Sequence, residues 1–173
     1  MYNIRVRLNA VTFFAFSVLF GLTAMCCMST YFHEGQAVVK TLRLNNIRSL
    51  RYHNGADRAL FSFDVEADLS PVWHWNSNYL FVYIVAEYQS DANVLNQVVI
   101  WDKIIDNKER LRFKQTNEFV KYALIDQGSE LRGKEVTLTL MWDHMPITGL
   151  MCFESVYNNT FQLPLVYKDE VKQ

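Results

Sequence analysis

Residues 60–69, LFSFDVEADL, alternate strictly: Phe61, Phe63, Val65, Ala67 and Leu69 on one side, Ser62, Asp64, Glu66 and Asp68 on the other. A period of two is that of a β-strand with one buried face and one wet face. No helix of period 3.6 would keep these two sets apart.

Outward from this strand the same pattern recurs. Val136, Leu138, Leu140 and Trp142 alternate with Thr137 and Thr139. Tyr79–Tyr88 (YLFVYIVAEY) is apolar on both sides, as a central or doubly covered strand should be, and Asn96–Ile105 (NQVVIWDKII) is similar. Shorter strands are expected at Val38–Leu44, Ile47–Tyr52, Leu111–Lys114, Phe119–Ile125 and Thr160–Tyr167. Turn signals separate them, among them Asn54-Gly55, Ser70-Pro71 and Gln127-Gly128. Strands at this spacing without intervening helices predict an all-β fold, an antiparallel β-sandwich. The Lys/Arg-bearing segment Thr41–Arg51 suits an edge strand.

One segment breaks the pattern. Ala10–Phe32, AVTFFAFSVLFGLTAMCCMSTYF, carries no Asp, Glu, Lys or Arg. As a helix it would cover roughly 34 Å, enough for a hydrocarbon core of ~30 Å. Two readings fit. In one it is a cleaved signal peptide, with Arg5 and Arg7 as the basic region and Ala24-Met25-Cys26 or Cys27-Met28-Ser29 as the small-x-small site. In the other it is a retained signal-anchor. The length of the apolar run, the lack of a polar stretch before His33, and Tyr31 and Phe32 at the far interface favour the anchor. The basic N-terminal flank keeps residues 1–9 cytoplasmic and sends residues 33–173 across the membrane, so both readings place the body outside the cytosol.

The expected organisation is a cytoplasmic tail (1–9), a transmembrane helix (10–32) and one β-sandwich domain (33–173). That domain holds 18 acidic and 15 basic residues, a formal charge of −3. Its basic residues are scattered among acids, which argues against nucleic acid as a partner. Cys152 is its single cysteine, so no internal disulfide is available.

Chemistry-bearing motifs are sparse. Asp64, Glu66 and Asp68 could make a calcium or acid–base site, but the solvated face of an amphipathic strand accounts for them. His53, His74 and His144 have no spacing that favours a metal or catalytic role. There is no Gly-x-Ser-x-Gly elbow, no His-Glu-x-x-His and no phosphate loop. Trp73-His74-Trp75 and Trp101, with Tyr79, Tyr83 and Tyr88, serve either as core or as a sugar-binding or protein-binding surface. If Trp73 and Trp75 sit in a strand they face one side. Asn158-Asn159-Thr160 is a glycosylation sequon, with Asn158 the acceptor.

The strand residues also carry a family resemblance. Phe61–Leu69, Trp75-Asn76, Leu80–Tyr83, Ala86–Tyr88, Leu95–Ile104 (LNQVVIWDKI) and Val136–Trp142 with Pro146 and Gly149 together resemble subunit 3 of the eukaryotic signal peptidase complex. The resemblance runs from about residue 9 to 165 in the family's order. It implies a non-catalytic accessory subunit without cofactor or metal, anchored once in the endoplasmic-reticulum membrane with its bulk lumenal. It implies as partners the catalytic serine protease subunit, the two small membrane subunits, the translocation channel transiently, and the lipid bilayer. A family sequon resembling Asn-Val-Thr is replaced here by Glu135-Val136-Thr137, leaving Asn158 as the glycan site. Trp75, Trp101, Asp102 and Lys103 are the expected contributors to the partner interface. The alternative reading is a membrane-tethered lumenal sandwich that binds carbohydrate or cargo.

Overall fold

The computed structural model describes residues 3–30, 32–33 and 35–168, apart from the side chains of 156–158. Tyr31 therefore lies outside the described residues, as does the side chain of Asn158.

Helix α1 spans Ile4–Thr30, beginning before the uncharged run and ending two residues short of Phe32. None of its residues is buried, and its apolar side chains surround it on all sides. Its hydroxyls turn inward: Thr12, Ser17 and Thr23 donate to carbonyls four residues earlier at 2.8–2.9 Å. Such bonds satisfy polar groups within the helix itself, which suits a surrounding without water.

Eight strands follow: β1 Val38–His53, β2 Ala56–Asp68, β3 Ser77–Tyr88, β4 Asn96–Ile105, β5 Arg112–Phe119, β6 Leu124–Ile125, β7 Glu135–Pro146 and β8 Cys152–Gln162. They form two antiparallel sheets. The first has the order β1-β2-β5, with β6 pairing β2 beyond β5. The second has the order β4-β3-β7-β8.

The sandwich expectation holds, and so do several of its details. The β1–β2 hairpin turns on Asn54 (φ 53°) and Gly55 (φ 88°), the paired positive φ angles of a tight two-residue turn. The cationic segment is the edge strand β1, interrupted by three register shifts that blunt it as a template for further pairing. The doubly apolar segment is β3, central in its sheet between β4 and β7.

Several segments differ from expectation. Val38–Leu44 and Ile47–Tyr52 form one strand, β1, and the expected Leu111–Lys114 runs on to Phe119 as β5. Phe119–Ile125 is not one strand. Phe119 ends β5 opposite Ser62, the chain then runs from one sheet towards the other as Val120 N–H donates to Phe61 and Tyr122 N–H to Ile100, and Leu124–Ile125 pair with β2 as β6. The last strand is Cys152–Gln162 rather than Thr160–Tyr167, since Pro164 has no N–H to extend a ladder. Trp73–Trp75 lie in the β2–β3 connection, where strand alternation does not apply.

The core fills the space between the sheets with Phe61, Phe63, Leu80, Ile84, Ile100, Leu140 and Trp142, all fully buried. Phe63 meets Trp101 edge to face with centroids 6.0 Å apart. Each such side chain contributes ~1.5–3 kcal/mol on burial. All three cysteines are free, so this burial and the ladders hold the domain.

Candidate partner interface

The membrane-proximal end is defined by where α1 enters. Strand β2 ends there, β3 begins there, β7 ends there and β8 begins there, as the Ser77–Pro146 and His144–Cys152 pairings show. His33, just past α1, places its Nε2 3.0 Å from the Pro71 carbonyl oxygen in the β2–β3 connection. Its ring meets His74 edge-on at 5.0 Å, and His74 lies 4.5 Å from His144. His144 Nε2 is 2.7 Å from Ser77 Oγ, which in turn accepts from the His74 amide.

This Ser–His contact invites a catalytic reading, and the geometry opposes it. Ser77 and His144 are both buried. Burial, then the neighbouring His74 and His33, push the His144 pKa down to about 4, which makes it a feeble base near neutral pH. No carboxylate among the described residues hydrogen-bonds to either imidazole to orient it. The trio instead joins the helix exit to the first turns of the sandwich. Among the described residues, no group of three or more His, Cys, Asp or Glu side chains is arranged to hold a metal ion.

The outer faces of the two sheets differ in kind. On the β1-β2-β5 sheet, the three β2 carboxylates are each matched by cations on the flanking strands. Glu66 lies between Lys40 (3.3 Å) and Lys114 (2.9 Å), Asp68 pairs with Arg112 (2.9 Å), and Asp64 with Arg43 (3.0 Å). Asp64 also accepts from the Asn117 amide and from Asn45. These bonds, led by that from Asn117, hold its carboxyl below the usual range; Lys114 and Lys40 do the same for Glu66. The solvated face that the alternation predicts is only partial: Glu66 and Asp68 keep some exposure, whereas Ser62 and Asp64 are buried.

The outer face of the β4-β3-β7-β8 sheet is apolar at the end nearer α1, whereas farther along the row Gln97–Glu87–Thr137–Thr160 is polar. The rows Ile104–Phe81–Asp143–Phe153 and Asp102–Tyr83–Met141–Ser155 run across its four strands. Phe81 and Tyr83 stack at 5.2 Å. Tyr79, Ile104 and Phe153 stand exposed, Phe153 at 76%. Asp143, which accepts from the Tyr83 hydroxyl at 3.2 Å, and Asp102 are the charges within these two rows. A two-layer sandwich has only one interior, so the second apolar face of β3 is left without a covering layer.

The four residues expected at the interface do not form one surface. Trp101 is 2% exposed and faces the core against Phe63 and Phe113, because it pairs opposite the inward-facing Ile84. Lys103 follows the same side, its ammonium 4.7 Å above the Phe113 ring, and desolvation lowers its pKa. Asp102 points to the outer face and accepts from Lys121. Trp75 lies apart from these on β4, in the β2–β3 connection, and is 64% exposed. Asn158 sits in β8 opposite Thr139. Its neighbour Asn159 donates to the Leu42 carbonyl at 2.8 Å, tying edge strands β1 and β8 together. Nothing in the sequence singles out Ile104 and Phe153; for the half-buried Phe81 the two-sided hydrophobicity of Tyr79–Tyr88 is the sign.

Comparison with known proteins points to one family over nearly the whole chain. The family model described as signal peptidase subunit matches residues 1–166. A Dictyostelium discoideum protein named signal peptidase complex subunit 3 is 31% identical over 170 residues, 98% of this chain and 99% of its own length. Proteins of the same name from Gallus gallus and Homo sapiens are 36% and 33% identical over 157 residues, 87% of each chain. An apolar helix, a two-sheet domain with one uncovered face and an end-to-end match to relatives that share one name lead to the same place: the chain belongs to the signal peptidase subunit family.

Proposed function

We propose that this membrane-anchored subunit of the signal peptidase complex is non-catalytic. On this reading α1 is a retained signal-anchor in the endoplasmic-reticulum membrane, with the N-terminus cytoplasmic and the sandwich lumenal. The domain packs against the lumenal part of the catalytic serine protease subunit and holds it at a fixed height above the bilayer. The two small membrane subunits complete the assembly, and the translocation channel joins it transiently.

The observation that carries this reading is the uncovered apolar face of β3 and its neighbours, on a domain whose other face is ion-paired. Stable interfaces bury roughly 1,200–2,000 Å² in total, and apolar aromatic centres dominate their energetics. The acids in that face favour an apolar partner surface with basic groups.

Retention of the anchor has a structural rationale. Both small-x-small sites, Ala24–Cys26 and Cys27–Ser29, lie inside α1, and the Ser29 and Thr30 hydroxyls bond back to the Cys26 and Cys27 carbonyls. A protease that takes extended peptide would have to unwind this turn first.

Purification from mild detergent followed by native mass spectrometry tests the proposal. A stoichiometric serine peptidase partner, with this chain intact at its N-terminus, is the expected result. Loss of mass on deglycosylation, abolished in Asn158→Gln, would place the glycan. A monomer that binds glycans would instead return the reading to a carbohydrate-binding module, and a mature N-terminus near Cys27 would remove the anchor.

A further inference from the structure

We propose that the β7–β8 loop is a second membrane contact, seating Ile147, Leu150 and Met151, with Trp75 beside them, in the lipid layer that α1 crosses. The proposal rests on α1 spanning a bilayer and is indifferent to which side the sandwich occupies.

Depth follows from the helix. Twenty residues from Ala10, at ~1.5 Å each, cover the ~30 Å hydrocarbon core and end near Thr30. Cys27 is one turn short of that limit, ~4.5 Å inside it. Gly149 lies directly against Cys27: a Cβ built on Gly149 would sit 3.2 Å from Cys27 Sγ and 4.0 Å from its Cα. The tip of the loop is therefore level with a residue of the membrane-spanning segment.

Chemistry matches that depth. From Met145 to Phe153 the chain carries no charge. Ile147, Leu150 and Met151 are each at least 70% exposed, side chains that the domain does not use for its own core. Trp75 is at the same end, and indole rings favour the headgroup boundary. The apolar surface is also held in place. Asn76, 1% exposed, donates from its side chain to the Thr148 carbonyl at 2.7 Å and accepts from the Thr148 amide at 3.1 Å, while its own carbonyl accepts from Ile147. Little ordering remains to be done on insertion. Lipid suits this patch better than a protein does, because its uncharged loop continues the bare surface of α1.

Spin-label accessibility in the full chain, reconstituted in phosphatidylcholine bilayers, tests the idea. In a C26A/C27A/C152S background, Leu150→Cys is labelled and its collisions with oxygen, which partitions into lipid, are compared with those of a water-soluble nickel chelate. Phe20→Cys in α1 is the membrane reference. Val94→Cys, exposed in the β3–β4 connection at the opposite end of the sandwich, is the aqueous one. The expected oxygen-to-nickel ratio at Leu150 is several-fold above that at Val94 and approaches that at Phe20. A nickel-accessible Leu150 beside a lipid-exposed Phe20 overturns this inference alone. A label at Leu150 shielded from both reagents means protein covers the loop and also overturns it. A nickel-accessible Phe20 removes the spanning helix on which it rests.

Discussion

Gly35 packs so closely on Pro71 that a Cβ at position 35 would run into the Pro71 carbonyl group, meeting its carbon at 2.7 Å. The same carbonyl oxygen faces His33 Nε2. The short link between α1 and β1 is thus clamped against the β2–β3 connection, and backbone rather than a flexible side chain is what a methyl group would meet. Gly35→Ala should lower stability by ~1–3 kcal/mol, the range for overpacking at a close contact. Thermal unfolding of the purified full chain reads this directly. An unchanged midpoint would mean that the link yields freely and that the helix exit is not fixed to the domain.

The histidine trio sets a pH dependence. His144 ionises near pH 4 in the folded domain and near 6.5 when unfolded, because burial and the other two imidazoles disfavour its charge. Between these values the unfolded chain binds a proton that the folded chain does not. Stability therefore falls as the pH drops through that window, by at most about 3 kcal/mol, and is fully retained above it. The His74 pKa is lowered as well, by burial first, and adds with the same sign. Denaturant titrations at several values between pH 7.5 and 4.5 measure the slope, and replacing His144 by Gln should flatten it.

Trp75 and Trp101, both expected at the interface from the sequence, should respond differently to truncation. Trp101→Ala removes a core ring and should cost ~3–5 kcal/mol, read as a large loss of folded protein. Trp75→Ala removes an exposed ring and should change stability by no more than ~0.5 kcal/mol. Comparable losses from both would show that Trp75 is packed as firmly as Trp101.

Much of this fold is visible in the sequence because period-two alternation survives wherever one face is buried. Asn96–Ile105 is a strand over the limits its composition suggests, and β2 and β7 carry the expected inward sets. What the sequence hides are relations made by pairing. Ser77 and His144 touch across 67 positions of chain, through the antiparallel register of β3 and β7. The register shift opposite Ile84–Val85 lets Ile100 and Trp101 both bury, which strict alternation forbids. The apolar outer face is likewise a sum over four strands. No one of them announces it, and β3 alone reads equally well as a strand covered on both sides.

That outer face supplies the sharpest mutational contrast. Phe81 and Phe153 lie in one row on either side of Asp143, outside the core. Phe81→Ser with Phe153→Ser should leave the sandwich folded, with a modest loss from the half-buried Phe81, while depriving a partner of the apolar centre on which binding energy concentrates. On the opposite face, Glu66→Gln removes a part-exposed acid shared by the exposed Lys40 and Lys114, whose surface pairs contribute little. If the apolar face binds the protease subunit, co-purification falls sharply in the double variant and stays at the native level in Glu66→Gln. If both variants retain the partner with their domains still folded, the β4-β3-β7-β8 sheet is not where the complex is joined.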